Sequence, residues 1–286
     1  MEIVWTPSRL ARTAPASLFV VAAISQYAGA AVAVLLFASV PAAGVAWLRV
    51  VASAAVLVAW RRPPRSTWNA ARLRLVGAFG IALALMNLCF YLAIARLPLG
   101  TAVAIEFCGP IFVAALGSRT RRDVLALALA LAGVLALADV HLAGSPDGLA
   151  LAAAAGVFWA GYIMLGHRIA ADEGVRPQDG LAVGMAIGAL VLAPVLVVSA
   201  VPALVSPPLL AACLLVGIAS SVVPYALEQI VMRRLPRARF ALLLALLPAT
   251  AAIVGAIVLG QVPGLVEAAG IALVVAAASL RSHADD

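Results

Sequence analysis

The sequence predicts an all-α membrane protein of ten transmembrane helices, with both termini in the cytoplasm, and three observations lead there. Of 286 residues, 65% are hydrophobic and 11% charged, where a soluble domain averages about 45–50% and about 25%. Apolar stretches of the length that crosses a bilayer, about 20 residues in a helix, recur along the whole chain with short connections between them. The basic residues gather on alternate connections.

The spans are expected near 14–38, 41–60, 73–95, 98–117, 124–140, 148–167, 180–200, 208–232, 239–259 and 264–280, each bounded by charge or by Gly/Pro clusters. The first follows Arg9 and Arg12 and could be read as a secretion signal. Its 25 apolar residues exceed a signal core of about 7–15, so it is expected to stay as a span. The second stops at Arg61-Arg62-Pro63-Pro64, and the third ends at Arg96-Leu97-Pro98. The fourth runs to Arg119, the fifth to His141 and the sixth to His167-Arg168. Arg176 precedes the seventh, Arg233 and Arg234 close the eighth, Arg237 and Arg239 open the ninth, and Arg281 comes after the tenth. With the N-terminus inside, seventeen arginines fall on cytoplasmic connections and termini, Arg96 alone lies outside, and Arg49 lies within a span. That bias is the positive-inside pattern of a ten-helix chain.

A weak internal repeat adds to this. At an offset of 138 residues, Arg96-Leu97-Pro98 falls on Arg234-Leu235-Pro236, Pro110 on Pro248, Ala114 on Ala252 and Gly117 on Gly255. Five helices separate the copies, an odd number, so the second is inverted relative to the first. Two halves of opposite orientation are expected, 1–141 and 142–286, an organisation that places a binding site where the halves meet.

Ionisable groups at membrane depth are costly and mark pathways. Glu106 lies about eight residues into the fourth span, roughly 12 Å from its outer end, and Arg49 lies at similar depth in the second. The functional reading has Arg49 receive a substrate carboxylate while Glu106 receives an ammonium or a proton. The plainer reading is an ion pair that locks the bundle. Glu228, with Tyr225 and Gln229 along the eighth span, is expected to form an inner lining patch, a gate in which Glu228 pairs with Arg233, or ordinary interhelical polar contacts. Pro110, Pro224 and Pro248 interrupt the fourth, eighth and ninth spans and free backbone carbonyls that need other partners. Gln26 beside Tyr27, Asn87, Tyr91, Trp159 and Tyr162 are further polar or aromatic groups in otherwise bland spans, candidates for the pathway or for ordinary packing. Gly184 and Gly188 form a GxxxG pair, the mark of close helix packing or of a dimer face.

Other chemistry finds no support in the sequence. The net charge of +7 comes from 19 arginines without a lysine, and its placement follows the membrane rather than a nucleic acid. Cys89, Cys108 and Cys213 stand singly in apolar stretches, without disulfide or metal spacing. There is no GxGxxG, no Walker lysine and no HExxH. A nucleotide-driven pump needs a cytosolic domain for which the short connections leave no room, so a gradient or downhill flow must supply the energy.

Residues 97–110, Leu-Pro-Leu-Gly-Thr-Ala-Val-Ala-Ile-Glu-Phe-Cys-Gly-Pro, and 223–236, Val-Pro-Tyr-Ala-Leu-Glu-Gln-Ile-Val-Met-Arg-Arg-Leu-Pro, resemble the EamA family of the drug/metabolite transporter superfamily, and most closely its threonine/homoserine exporter branch. The resemblance covers nearly the whole chain. It implies two inverted five-helix EamA repeats, a bacterial inner-membrane location, and export of amino acids or related metabolites by proton antiport. An uncoupled facilitator of the same fold is the alternative. Glu106 matches the branch's Leu-Glu-Phe-x-Gly-Pro motif, and Tyr225 and Glu228 its Pro-Tyr-Ser-Leu-Glu motif. This chain departs from the branch at Leu247, where a glutamate usually precedes the proline, and at Gly260-Gln261, where Gly-Glu is usual. The expected partners are a small-molecule substrate, protons and lipids, with no cofactor or metal and no nucleic acid, in a monomer or homodimer.

Overall fold

A computed structural model describes residues 15–116, 120–141, 145–232, 234 and 243–282. Among them there are helices and no strands, and a helix satisfies its own backbone polar groups where hydrocarbon offers no water. The helices are α1 (Pro15–Leu36), α2 (Ala42–Arg61), α3 (Ala70–Ile94), α4 (Leu99–Glu106), α5 (Cys108–Leu116), α6 (Arg121–His141) and α7 (Pro146–Ala170). They continue as α8 (Pro177–Leu204), α9 (Pro207–Gly217), a π-helical turn (Ile218–Val222), α10 (Val223–Met232), α11 (Leu247–Leu259) and α12 (Leu265–Ser282). Six segments are long and apolar enough to cross a membrane: α1, α2, α3, α7, α8 and the stretch Pro207–Glu228. Four shorter apolar helices accompany them, Leu99–Val113, Val124–Leu137, Leu247–Leu259 and Leu265–Leu280. The protein is therefore a multi-pass membrane protein.

Local chemistry sets the ends. Proline opens α7, α8 and α9, where its missing N–H costs no helical bond. Asn69 caps α3 by accepting the Arg72 N–H at 2.9 Å. Gly260, at φ 68°, ends α11 in the left-handed region that suits glycine.

Packing relies on small residues. Between lipid-bathed helices the hydrophobic drive is weak, so close backbone approach supplies the contact energy. Alanines at 0% exposure, such as Ala22, Ala31, Ala33, Ala104, Ala152 and Ala251, fill the core. Large apolar side chains point outward, with Val195 72%, Ile257 79% and Leu265 91% exposed. The Gly184–Gly188 pair serves packing inside this chain. A Cβ on Gly80 of α3 would lie 1.9 Å from the Gly184 carbonyl oxygen, and one on Gly188 would lie 2.4 Å from the Gly80 oxygen. α3 packs on α7 and α8, α2 on α8, α6 on α12, and α1 on the α9–α10 rod.

At one end of the bundle the α2–α3 connection is tied to the α7–α8 connection. Arg72 bridges Asp172 through two bonds, Nε to Oδ2 and Nη2 to Oδ1, both 2.9 Å. Arg61 and Arg176 both reach Asp179, at 3.1 and 2.8 Å. At the opposite end of α3, the Gln261 side chain before α12 accepts the Leu99 N–H at 2.9 Å.

Gly80→Val should cost about 3 kcal/mol or more of stability, because rigid backbone stands where the side chain would go; Gly161→Ala, with nothing within 4 Å of the new Cβ, should keep the wild-type unfolding midpoint in detergent. The Arg72 guanidinium and the Gly174 N–H hold the Asp172 carboxyl below its ordinary value of 3.8. A carboxyl depressed on folding contributes stability that is complete above its unfolded value and fades as pH falls below it. Unfolding midpoints tracked down in pH should therefore drop below about pH 4 less steeply for Asp172→Asn than for the wild type.

Candidate transport site

The candidate site lies beside two proline interruptions, at Pro110 and Pro224. Pro110 carries no N–H, so the carbonyl of Glu106, four residues earlier, loses its α-helical donor. The rod breaks at Phe107 between α4 and α5, and Gly156 of α7 closes on the freed carbonyl, since a Cβ there would lie 2.9 Å from the Glu106 oxygen. Pro224 does the same to Ser220, whereas Pro248, expected to interrupt its span, stands in the first turn of α11, where its missing N–H costs no helical bond. The α4 and α11 rods lie in contact, with a Cβ on Gly100 falling 2.7 Å from Ala252.

Glu106 is buried at 7% exposure and Arg49 at 8%. The ion pair of the plainer reading does not form between them; Arg61 and Arg176 pair with Asp179 and Arg72 with Asp172. Arg49 turns to the π-helical turn instead, donating from Nε to Ser221 Oγ and from Nη2 to the Ser220 carbonyl, both 3.0 Å. Its guanidinium carbon sits 5.1 Å from the centre of the Tyr91 ring, a cation–π contact. The physical reason is that an orphaned carbonyl at membrane depth competes for the guanidinium, and it lies within reach while the carboxylate does not. Among the described residues, neither Arg49 Nη1 nor the Glu106 carboxylate has a hydrogen-bond partner, and neither is fully enclosed.

Proximity nevertheless gathers the candidates into one cluster. Tyr27 of α1 and Tyr225 of α10 lie near Glu106, Glu228 and Arg49, and Tyr162 of α7 lies near Glu228. Tyr162 and Tyr225 approach each other through their hydroxyls, and the Tyr162 ring stacks on Phe79 at 4.7 Å. Four elements, α1, α2, α4 and α7, thus converge with α10 on one polar core.

Other candidates take plainer roles. Asn87 donates to the Leu83 carbonyl of its own helix at 2.8 Å. Trp159 packs edge-to-face on Phe107 at 5.2 Å. Tyr91 is fully buried and wedged against Phe37 and Phe90, and its hydroxyl is the one buried side-chain polar atom without a partner among the described residues. Gln26 is half-buried, and its neighbour Tyr27 is the α1 residue within the cluster. The Gln229 side chain and Arg233, and with it the Glu228–Arg233 gate, lie outside the described residues. Beside the Glu106 break, a cavity of about 550 Å³ is lined by apolar groups including Cys108, Phe112, Gly156 and Val157. Phe112 and Val157 are 53% and 69% exposed, so this cavity is open to the surface.

Sequence reasoning missed the serines. Ser25 Oγ donates to the Ala219 carbonyl at 2.8 Å, and Ser53 Oγ to those of Arg49 and Gly217 at 2.8 and 3.2 Å. Ser220 had a signal, standing four residues before Pro224; Ser25 and Ser53 had none.

A family model described as the EamA-like transporter family matches residues 147–282. The threonine/homoserine exporters RhtA of Salmonella typhimurium (strain LT2) and of Escherichia coli (strain K12) are each 37% identical to this chain over 250 residues, 86% of this chain and 84% of theirs. The chain belongs to the EamA-like transporter family. It is a transporter and not an enzyme. A solved crystal structure at 21% identity matches with a TM-score of 0.57, covering 93% of this chain and 96% of that one, a likeness of fold.

Family membership gives the two departures a structural meaning. Leu247 is 3% exposed and belongs to the main apolar core. Gln261 supplies an acceptor for the first N–H of α4, one of the orphan donors of a helix start. Gln261→Ala should lower stability by about 1 kcal/mol, whereas Gln261→Glu, which keeps the acceptor, should stay near wild type; unfolding in detergent monitored by circular dichroism checks both.

Proposed function

We propose that this protein exports amino acids of the threonine/homoserine type, or related small metabolites, across the bacterial inner membrane by alternating access coupled to proton entry. The observation that carries the reading is the pairing at one site of a buried, unpartnered carboxylate, Glu106, with a guanidinium edge left open, Arg49 Nη1. A zwitterion needs both. The names of the relatives, exporters of threonine and homoserine, agree with it.

In this reading ten spans form two inverted halves, 1–141 and 142–286, with both termini in the cytoplasm. Packing supports the pairing of halves: α1 lies on the α9–α10 rod as α7 lies on α3, which is the relation that exchanging the halves requires. The family model, at 147–282, matches one such half. Contacts between connections support the alternation of the spans, because Arg61 and Arg72 meet Asp179 and Asp172 at one end, while Leu99 meets Gln261 at the other.

The substrate carboxylate docks on Arg49 Nη1, the ammonium faces Glu106 and Glu228, and Tyr27, Tyr162 and Tyr225 line the walls. Glu106 holds either the substrate ammonium or a proton, and this exclusion couples the two fluxes. With Leu247 and Gln261 in place of carboxylates, Glu106 and Glu228 are the two acids of the cluster, which suits a less polar substrate or a smaller proton stoichiometry than the branch's usual four carboxylates would allow.

Counterflow in proteoliposomes with a pH-sensitive dye inside tests this. Threonine, homoserine or another neutral amino acid should exchange with movement of protons, and Glu106→Gln should lower coupled flux at least about tenfold, a loss of 1.4 kcal/mol or more in the coupled step, while the protein stays folded. Flux that ignores an imposed pH gradient would make the protein an uncoupled facilitator instead.

A further inference from the structure

The π-helical turn Ile218–Val222 and Pro224 together strip two carbonyls of their donors. The Val223 N–H bonds back five residues to Ile218, so it no longer serves Ala219. Pro224, which would serve Ser220 in an α-helix, has no N–H to give. Both carbonyls are met from neighbouring helices: Ala219 by Ser25 Oγ of α1 at 2.8 Å, and Ser220 by Arg49 Nη2 of α2 at 3.0 Å. Arg49 also holds the next residue, donating to Ser221 Oγ at 3.0 Å. Close approach makes this reach possible. A Cβ on Gly217 would lie 2.8 Å from the Arg49 carbonyl oxygen, and one on Gly29 would lie 2.9 Å from Ser220 Cβ.

We propose that Arg49 stands in for the backbone N–H that Pro224 lacks, and by holding the π-helical turn it sets the rotation at which α10 presents Tyr225 and Glu228 to the site. One extra residue in a helical turn rotates the remainder of the helix by about 100°, enough to move a side chain from the polar core to a neighbouring face. Arg49 is thus a positioning residue through Nε and Nη2, while Nη1 stays open. The functional weight of this rests on the proposed function, in which Tyr225 and Glu228 line the pathway; the latch itself does not.

A mutant cycle on the full-length protein in detergent tests it. Arg49→Met keeps the length of the side chain and removes its donors, and Pro224→Ala returns an N–H to the helix. Arg49→Met should lower the thermal unfolding midpoint by about 5 °C in the wild-type background, since it leaves a buried carbonyl unmet, and by less than half of that beside Pro224→Ala. An equal loss in both backgrounds would overturn the latch. Rotation is read separately from stability: with Cys89, Cys108 and Cys213 replaced by alanine, the maleimide labelling rate of Ala226→Cys should change at least about threefold, or 0.65 kcal/mol, when Arg49→Met is added. An unchanged rate in folded protein would overturn the control of rotation. If the wild type exchanges no amino acid, the proposed function fails while both of these readouts still decide the latch.

Discussion

Everything at the centre of this protein depends on satisfying backbone carbonyls where no water is at hand. A proline inside a membrane helix orphans the carbonyl four residues before it, and in hydrocarbon such a group costs several kcal/mol unless something donates to it. Pro224 and the π-helical turn orphan Ala219 and Ser220, and Ser25 and Arg49 answer from α1 and α2. The breaks therefore bind the helices together as well as interrupting them. They also draw the one arginine at membrane depth into the centre, where it lies over Tyr91.

The same constraint explains the shape of the packing around the site. Side-chain donors are short, so the helices must come close, and glycine and alanine allow it. Gly217 against Arg49, Gly29 against Ser220 and Gly156 against Glu106 are contacts that a Cβ would obstruct. Away from the site the same residue types join α3 to α8 through Gly80, Gly184 and Gly188. At the ends of the bundle, where water returns, the bonding changes character. There Arg61, Arg72 and Arg176 pair with Asp172 and Asp179, charged contacts that hydrocarbon would penalise.

Membership of the EamA-like transporter family and the geometry reinforce each other at the two places where the chain departs from its branch. Leu247 belongs to the apolar core and Gln261 to the start of α4. Both carry structure in this protein.

The helices were legible from the sequence because hydrophobicity at membrane length is a local property. Segments expected at 41–60, 124–140 and 148–167 fold as Ala42–Arg61, Arg121–His141 and Pro146–Ala170. Proline announced the breaks near Pro110 and Pro224, although Pro194 and Pro202 sit inside an unbroken α8 and Pro248 opens α11, and Glu106, Arg49 and Glu228 stood out because charge in an apolar run is conspicuous. Partners are a different matter. That Arg49 binds Ser220 and Ser221 rather than Glu106, that Asn87 folds back on its own helix, and that Gly184 and Gly188 meet α3 depend on distances between segments more than a hundred residues apart or on a rotamer choice. Tertiary structure decided these, because a hydrogen bond or a backbone contact is won by the nearest suitable group, and nearness across helices is written in no single stretch of the chain.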